Sequence, residues 1–145
     1  MKLEQTNRII IKIGSALLFN ETSGSLNKEW LNSLAEDVKY LRENDKEVII
    51  VSSGAIAMGA KDLDLDMKNM KMDMNQAVSA VGQIHLMGSF KSAFEKNEIK
   101  ISQILLTLDD TEQRRRSINA RRTIDTLLKL GIVPVSYTHL RAHET

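Results

Sequence analysis

The chain has 145 residues, 20 Lys+Arg against 19 Asp+Glu, a net charge of +1 and 42% hydrophobic residues, enough for one modest domain with a real core. The charge balance exerts no global pull toward nucleic acid or anionic membrane, and the absence of Cys excludes disulfide frameworks, thiolate metal sites and cysteine nucleophiles. The first apolar run, from Ile9 to Ile11, stops at Lys12, too short for a signal-peptide core or a membrane span, so a soluble, cytoplasmic chain is expected.

Arg8–Ile13 (RIIIKI) is a short β-branched run closed by Gly14 and Ser15, and it predicts a buried strand. Over residues 27–43, Leu31, Leu34, Val38 and Leu41 recur at spacings of three and four, which predicts an amphipathic helix with Asn27 as its N-cap. Residues 47–51 (EVIIV) predict a second strand, followed by Ser52-Ser53-Gly54 and a helix-like stretch. From Asn75 to Lys96 another helix pattern places Ala77, Ala80, Val81, Ile84 and Met87 on one face; the small Ala77, Ala80, Gly82 and Gly88 would allow close packing on a neighbour. Residues 100–106 (KISQILL) predict a third strand. Asp109, Asp110 and Thr111 offer caps and negative charge to a long helix reaching Leu130, with Gly131 where a left-handed stop belongs; a fourth strand begins at Ile132-Val133.

Strand and helix alternate, and each strand is an unbroken apolar run. Such strands are covered on both faces, so the expected fold is α/β, a three-layer α/β/α sandwich on a mainly parallel sheet with right-handed crossovers. Ligands in that architecture sit beyond the carboxyl ends of the strands, which narrows the search to residues 14–18, 52–59 and 107–111. After Pro134 the pattern breaks: residues 135–145 (VSYTHLRAHET) continue neither strand nor helix and resemble the translation of a sequencing adapter. The expected organisation is one lobe over residues 1–134 and a non-native tail over 135–145, which is left out of fold reasoning. His139 and His143 stand four apart in that tail with no carboxylate at a helpful distance, so no metal site is expected there.

Lys12 interrupts an apolar strand, and a buried ammonium needs a partner or a cavity. It is either an edge-strand lysine reaching solvent, or a cation at a strand end that meets phosphate oxygens beside the backbone amides around Gly14. Ser52-Ser53-Gly54-Ala55 is either an ordinary N-cap or a helix start that receives a carboxylate or phosphate. GAIAMGAK (residues 54–61) fails as a Walker-type loop because its lysine comes one position late and no Ser/Thr follows. Asp62, Asp64 and Asp66 imitate a calcium loop, but Met67 and Asp73 stand where Gly and Glu are needed. Met67, Met70, Met72 and Met74 are read as a partly buried connection and His85 as a structural or surface histidine. Arg114, Arg115, Arg116, Arg121 and Arg122 are read as a solvated face offset by Asp109, Asp110, Glu112 and Asp125; a nucleic-acid-binding module using them is an alternative.

IIIKIGSALL and IIVSSGAIAMG, followed in order by QAVSAVGQ, QILLT, INAR and GIVPV, resemble the glutamate 5-kinase family of the amino acid kinase superfamily, over residues 8–134. The Ser-Ser-Gly-Ala loop discriminates within the superfamily, since acetylglutamate, uridylate and isopentenyl phosphate kinases usually carry a glycine triplet there. The resemblance implies Mg²⁺-dependent transfer of the γ-phosphoryl of ATP to the side-chain carboxylate of L-glutamate, the first step of proline biosynthesis. It further implies proline as a feedback inhibitor, no nucleic-acid or membrane partner, and a homo-oligomer at full length. By the same resemblance Lys12 is the catalytic, phosphate-binding lysine; Gly14 and Ser15 add contacts to the phosphates of ATP; and Ser53, Gly54 and Ala55 form the glutamate pocket. The family's asparagine-rich loop and adenine-binding half are missing, so this chain alone is expected to be inactive. Another amino acid kinase, with a different carboxylate or phosphate substrate, is the alternative.

Overall fold

The structure is a computed structural model that describes residues 7–20, 22–68, 70–105 and 113–137. Its elements are β1 (Arg8–Ile13), α1 (Ser15–Leu18), α2 (Lys28–Glu43), β2 (Glu47–Ser52), α3 (Ala55–Asp62), α4 (Met72–Glu95), β3 (Lys100–Ile104), α5 (Gln113–Lys129) and β4 (Ile132–Tyr137). All three strand pairings are parallel, in the order β1-β2-β4-β3. The α/β architecture on a parallel sheet is therefore the one the alternating pattern predicts.

One face of the sheet carries Ile13, Val48, Ile50, Val133, Val135 and Tyr137 into a single core with Leu31, Leu34 and Val38 of α2 and Leu86, Phe90 and Phe94 of α4. Phe90 and Phe94 are fully buried with ring centroids 6.0 Å apart, and burial of each such side chain contributes roughly 1.5–3 kcal/mol. Side chains alternate along a strand, so Arg8, Ile10 and Lys12 take the opposite face. There Arg8 pairs with Asp125 of α5 at 3.0 Å and with Glu47 at 3.2 Å, and α5 packs on β4.

Four expectations are corrected. The apolar face read on α4 is not the buried one: the helix buries Val78, Ser79, Gly82, Leu86, Phe90, Ala93 and Phe94 and turns Ile84 outward at 80% exposure. Apolar residues ring much of this helix, so periodicity does not choose a side; glycine does. A Cβ at Gly82 would collide with the carbonyl oxygen of Ala55, and one at Gly59 with that of Val78, so α3 and α4 meet backbone to backbone. Secondly, β1 is not covered on both faces: among the described residues it pairs only with β2, and Ile10 is 64% exposed. Thirdly, the strand begun at Ile132 does not break after Pro134. It continues through Val135, Ser136 and Tyr137, because β4 lies between β2 and β3 and both ladders select extended backbone. Finally, Met67, Met72 and Met74 are exposed, and the last two open α4 instead of lying in a loop. His139, His143 and residues 107–111 fall outside the described residues.

Candidate functional site

In a parallel pair both strands finish at the same edge, and Ile13 stands in register with Ser52. Beyond Ile13 the chain turns at Gly14, where a Cβ would meet nothing within 4 Å, and passes through α1 into a small hairpin closed by the antiparallel bridge between Phe19 and Leu26. The hairpin returns directly to α2: the Asn27 amide donates to Leu18 O at 2.7 Å, and the Asn27 side chain accepts the Trp30 amide as the expected N-cap.

Beyond Ser52 the chain turns at Ser53 and Gly54 into α3. Gly54 sits at φ +105°, ψ 0°, a left-handed conformation suited to glycine. Ser53 donates twice to one acceptor: its amide and its Oγ reach Ile13 O at 3.0 and 3.1 Å. Buried Ser52 donates its Oγ to Ser53 O at 2.9 Å. The first intrahelical bond of α3 runs from the Met58 amide to Gly54 O, so the amides of Ala55, Ile56 and Ala57 have no acceptor in the helix ladder. Such amides, with the positive end of the helix dipole, attract carboxylate or phosphate oxygens.

The structure thus joins Ser53 to Ile13 by hydrogen bonds and sets Gly54 against Leu18 and Phe19. A Cβ on Gly54 would lie 2.9 Å from Phe19 Cε2 and 3.4 Å from Leu18 Cδ1. Lys12 is exposed on the edge strand, in register with Val51, and faces the opposite side of the sheet from the Ile13 side chain. It has no ion-pair partner among the described residues. Ser15 is exposed in α1, and Ala55 is buried at the start of α3.

Further along the same sheet edge, β4 places Ser136 in register with Val51 and Tyr137 with Ser52. Tyr137 donates to Met87 Sδ at 3.3 Å, and burial pushes its phenol above the ordinary range. The Ser136 hydroxyl is buried with no hydrogen-bond partner among the described residues. Two contributors to the site were not singled out from sequence: Phe19, which lies against Gly54, and Gly59, which with Gly82 sets the depth of α3. Isolated glycines inside helical patterns were the available signal for the second.

A larger groove of about 640 Å³ lies elsewhere, between α2, α3 and α4, lined in part by Lys28, Met58, Lys61, Asp62, His85 and Lys96. His85 Nδ1 is 2.9 Å from both carboxylate oxygens of Asp62, so this histidine ties α4 to the end of α3. Arg121 and Arg122 are exposed on α5, while the side chains of Arg114, Arg115 and Arg116 fall outside the described residues. Among the described residues no group of three His, Asp or Glu could hold a metal ion. Among them also, no helix is long and apolar enough to cross a membrane.

The model of the amino acid kinase family matches residues 7–140. The chain belongs to that family. A glutamate 5-kinase of Pelagibacter ubique (strain HTCC1062) is 53% identical over 135 residues, covering 93% of this chain and 36% of the relative. One from Ruegeria sp. (strain TM1040) is 48% identical over 92% of this chain and 36% of its own length. The chain therefore spans about a third of the relatives that it matches. Among solved structures, a product complex of T. acidophilum isopentenyl phosphate kinase superposes with a TM-score of 0.61 at 16% identity, covering 94% of this chain and 58% of that one. That similarity shows the amino acid kinase fold. In this family member, the loops after β1 and β2 occupy the edge of the sheet where parallel α/β proteins bind ligands.

Proposed function

We propose that this chain is the amino-terminal part of a glutamate 5-kinase, a cytoplasmic enzyme that transfers the γ-phosphoryl group of ATP to the side-chain carboxylate of L-glutamate. The observation that carries the reading is the junction at Ile13 O, where Ser53 ties the loop after β2 to the loop after β1. It puts a turn whose helix-start amides have no acceptor in the helix ladder beside the end of a strand that carries Lys12, a cation with no ion-pair partner among the described residues. The relatives at about 50% identity bear the same name along 87–93% of this chain.

In this reading Ser53, Gly54 and Ala55 receive the acidic substrate, the amides opening α3 supplying partial positive charge. Lys12 faces the transferring phosphoryl group, with Gly14 and Ser15 offering backbone contacts to the phosphates of ATP. Phosphoryl transfer depends on positioning and electrostatic stabilisation, so an unpaired ammonium suits the task. Mg²⁺ is assigned to the nucleotide's phosphates, where it would neutralise charge. Proline is assigned as a feedback inhibitor, and self-association as the natural state of the full-length enzyme. The outward Val81 and Ile84 of α4 favour a protein neighbour over water.

Residues 135–145 are assigned to a non-native tail, on the break in the sequence pattern after Pro134.

The test is the intact protein that carries residues 1–134 of this sequence. It should release ADP in the presence of L-glutamate, and not with acetylglutamate, aspartate, uridylate or isopentenyl phosphate. Preference for another acceptor would reassign the substrate within the family. The 145-residue chain should show no glutamate-dependent ADP release.

A further inference from the structure

We infer that Phe19 is a positioning residue, a clamp that holds the turn opening α3 at the place where the acidic substrate is received; this rests on the glutamate-binding reading of that turn.

The ring's own placement is over-determined. Phe19 is extended at φ −120°, ψ 141°, where its amide bonds Ser15 O at the end of α1. It faces Leu26 across the hairpin bridge. On one side the Asn20 amide reaches Ser25 O at 2.8 Å, and on the other the Asn27 amide reaches Leu18 O at 2.7 Å. Asn20 Oδ1 accepts the amides of Thr22 and Ser23 at 2.9 and 3.2 Å, stiffening the tip. The ring itself is half-buried against the core.

Gly54 is therefore held from two sides. Towards β1, Ser53 is fastened to Ile13 O by two bonds. Towards the hairpin, Phe19 Cε2 lies 2.9 Å from the point a Gly54 Cβ would occupy and Cζ 3.6 Å from it, leaving no room for a side chain. Glycine at φ +105° has other backbone wells close in energy. Without the ring the turn can relax into them, carrying the amides of Ala55 and Ile56 away from where a carboxylate would meet them. An aromatic ring offers no charge and no donor to the substrate, so its effect passes through Gly54.

Two readouts test this with Phe19→Ala and Phe19→Tyr. In the 145-residue chain, exchange of the Ser53 and Met58 amides, which are bonded to Ile13 O and Gly54 O, should quicken about tenfold in Phe19→Ala while amides of β2 and β4 keep their protection; the change is then local opening and not global unfolding. Phe19→Tyr, which keeps the ring, should exchange like the parent. In the intact enzyme, Phe19→Ala should raise KM for L-glutamate about tenfold and leave KM for ATP and kcat within about twofold, with Phe19→Tyr restoring the parent value. Unchanged exchange at Ser53 and Met58, or KM for ATP rising in step with that for glutamate, would overturn the assignment. An intact parent enzyme that phosphorylates another acceptor and not glutamate would sink the substrate reading instead, and the exchange measurement would still decide the role of Phe19.

Discussion

Lys12 and Ser53 divide the proposed chemistry between a charge and a frame. Lys12 lies on an exposed edge, with no carboxylate among the described residues to hold it, so it gives little to the stability of the fold. In the intact enzyme Lys12→Ala should lower kcat by about 100-fold or more and change KM for glutamate little, because its charge matters most in the transition state. Steady-state kinetics with unchanged protein stability is the check, and an unchanged kcat would make the lysine structural. Ser136 is the reverse case, a buried hydroxyl without a partner among the described residues. Replacing it with Val should raise stability by about 1–2 kcal/mol in urea denaturation, since an unsatisfied buried polar group carries a desolvation penalty. Tyr137 supplies a pH dependence. Its folded pKa lies above the ordinary 10.0 because burial disfavours the phenolate, so the unfolded chain loses the proton first. The stability tied to it is complete below pH 10 and is lost as pH rises above that value, at up to about 1.4 kcal/mol per pH unit. Tyr137→Phe should flatten the difference between denaturation curves taken either side of pH 10.

The pairing of α3 with α4 decides where the substrate turn sits. Gly59 and Gly82 let the two backbones touch, so Gly82→Ala should push α3 outward and cost about 1–3 kcal/mol, read as a lower urea midpoint. The same pair shows how far sequence reasoning reaches. The short β-branched runs of β1 and β2, the Leu31, Leu34, Val38 stripe of α2, the Asn27 cap and the glycine stop at Gly131 were all readable, because each is encoded by neighbours in the chain. The buried side of α4 was not, since both stripes of that helix are apolar and the choice is made by α3, a separate segment. The exposed Ile10 was likewise hidden: an apolar run announces a strand but not whether a second layer covers it. Of the candidate site, Ser53 and Gly54 were readable as a turn after a strand. Their attachment to Ile13 and Phe19 spans about 35–40 positions and exists only once β1 and β2 pair.

The molecule as a whole leaves apolar surface uncovered. Val81 and Ile84 stand outward on α4, as Ile10 does on β1, and surfaces of this kind drive association. The expressed chain should therefore self-associate, and Ile84→Lys should shift it toward monomer in analytical ultracentrifugation without lowering its thermal midpoint by more than about 2 °C, because that side chain is 80% exposed.

The place of β4 in the sheet has a consequence for birth at the ribosome. The fourth strand in chain order is seated between β2 and β3, so among the described residues β3 waits without a partner strand until residues 132–137 emerge. Until then, of the four described strands, β1 and β2 alone can zip together, and the nascent polypeptide carries an open slot beside β2, a vacancy that chaperones would have to guard for the length of α5 and β4.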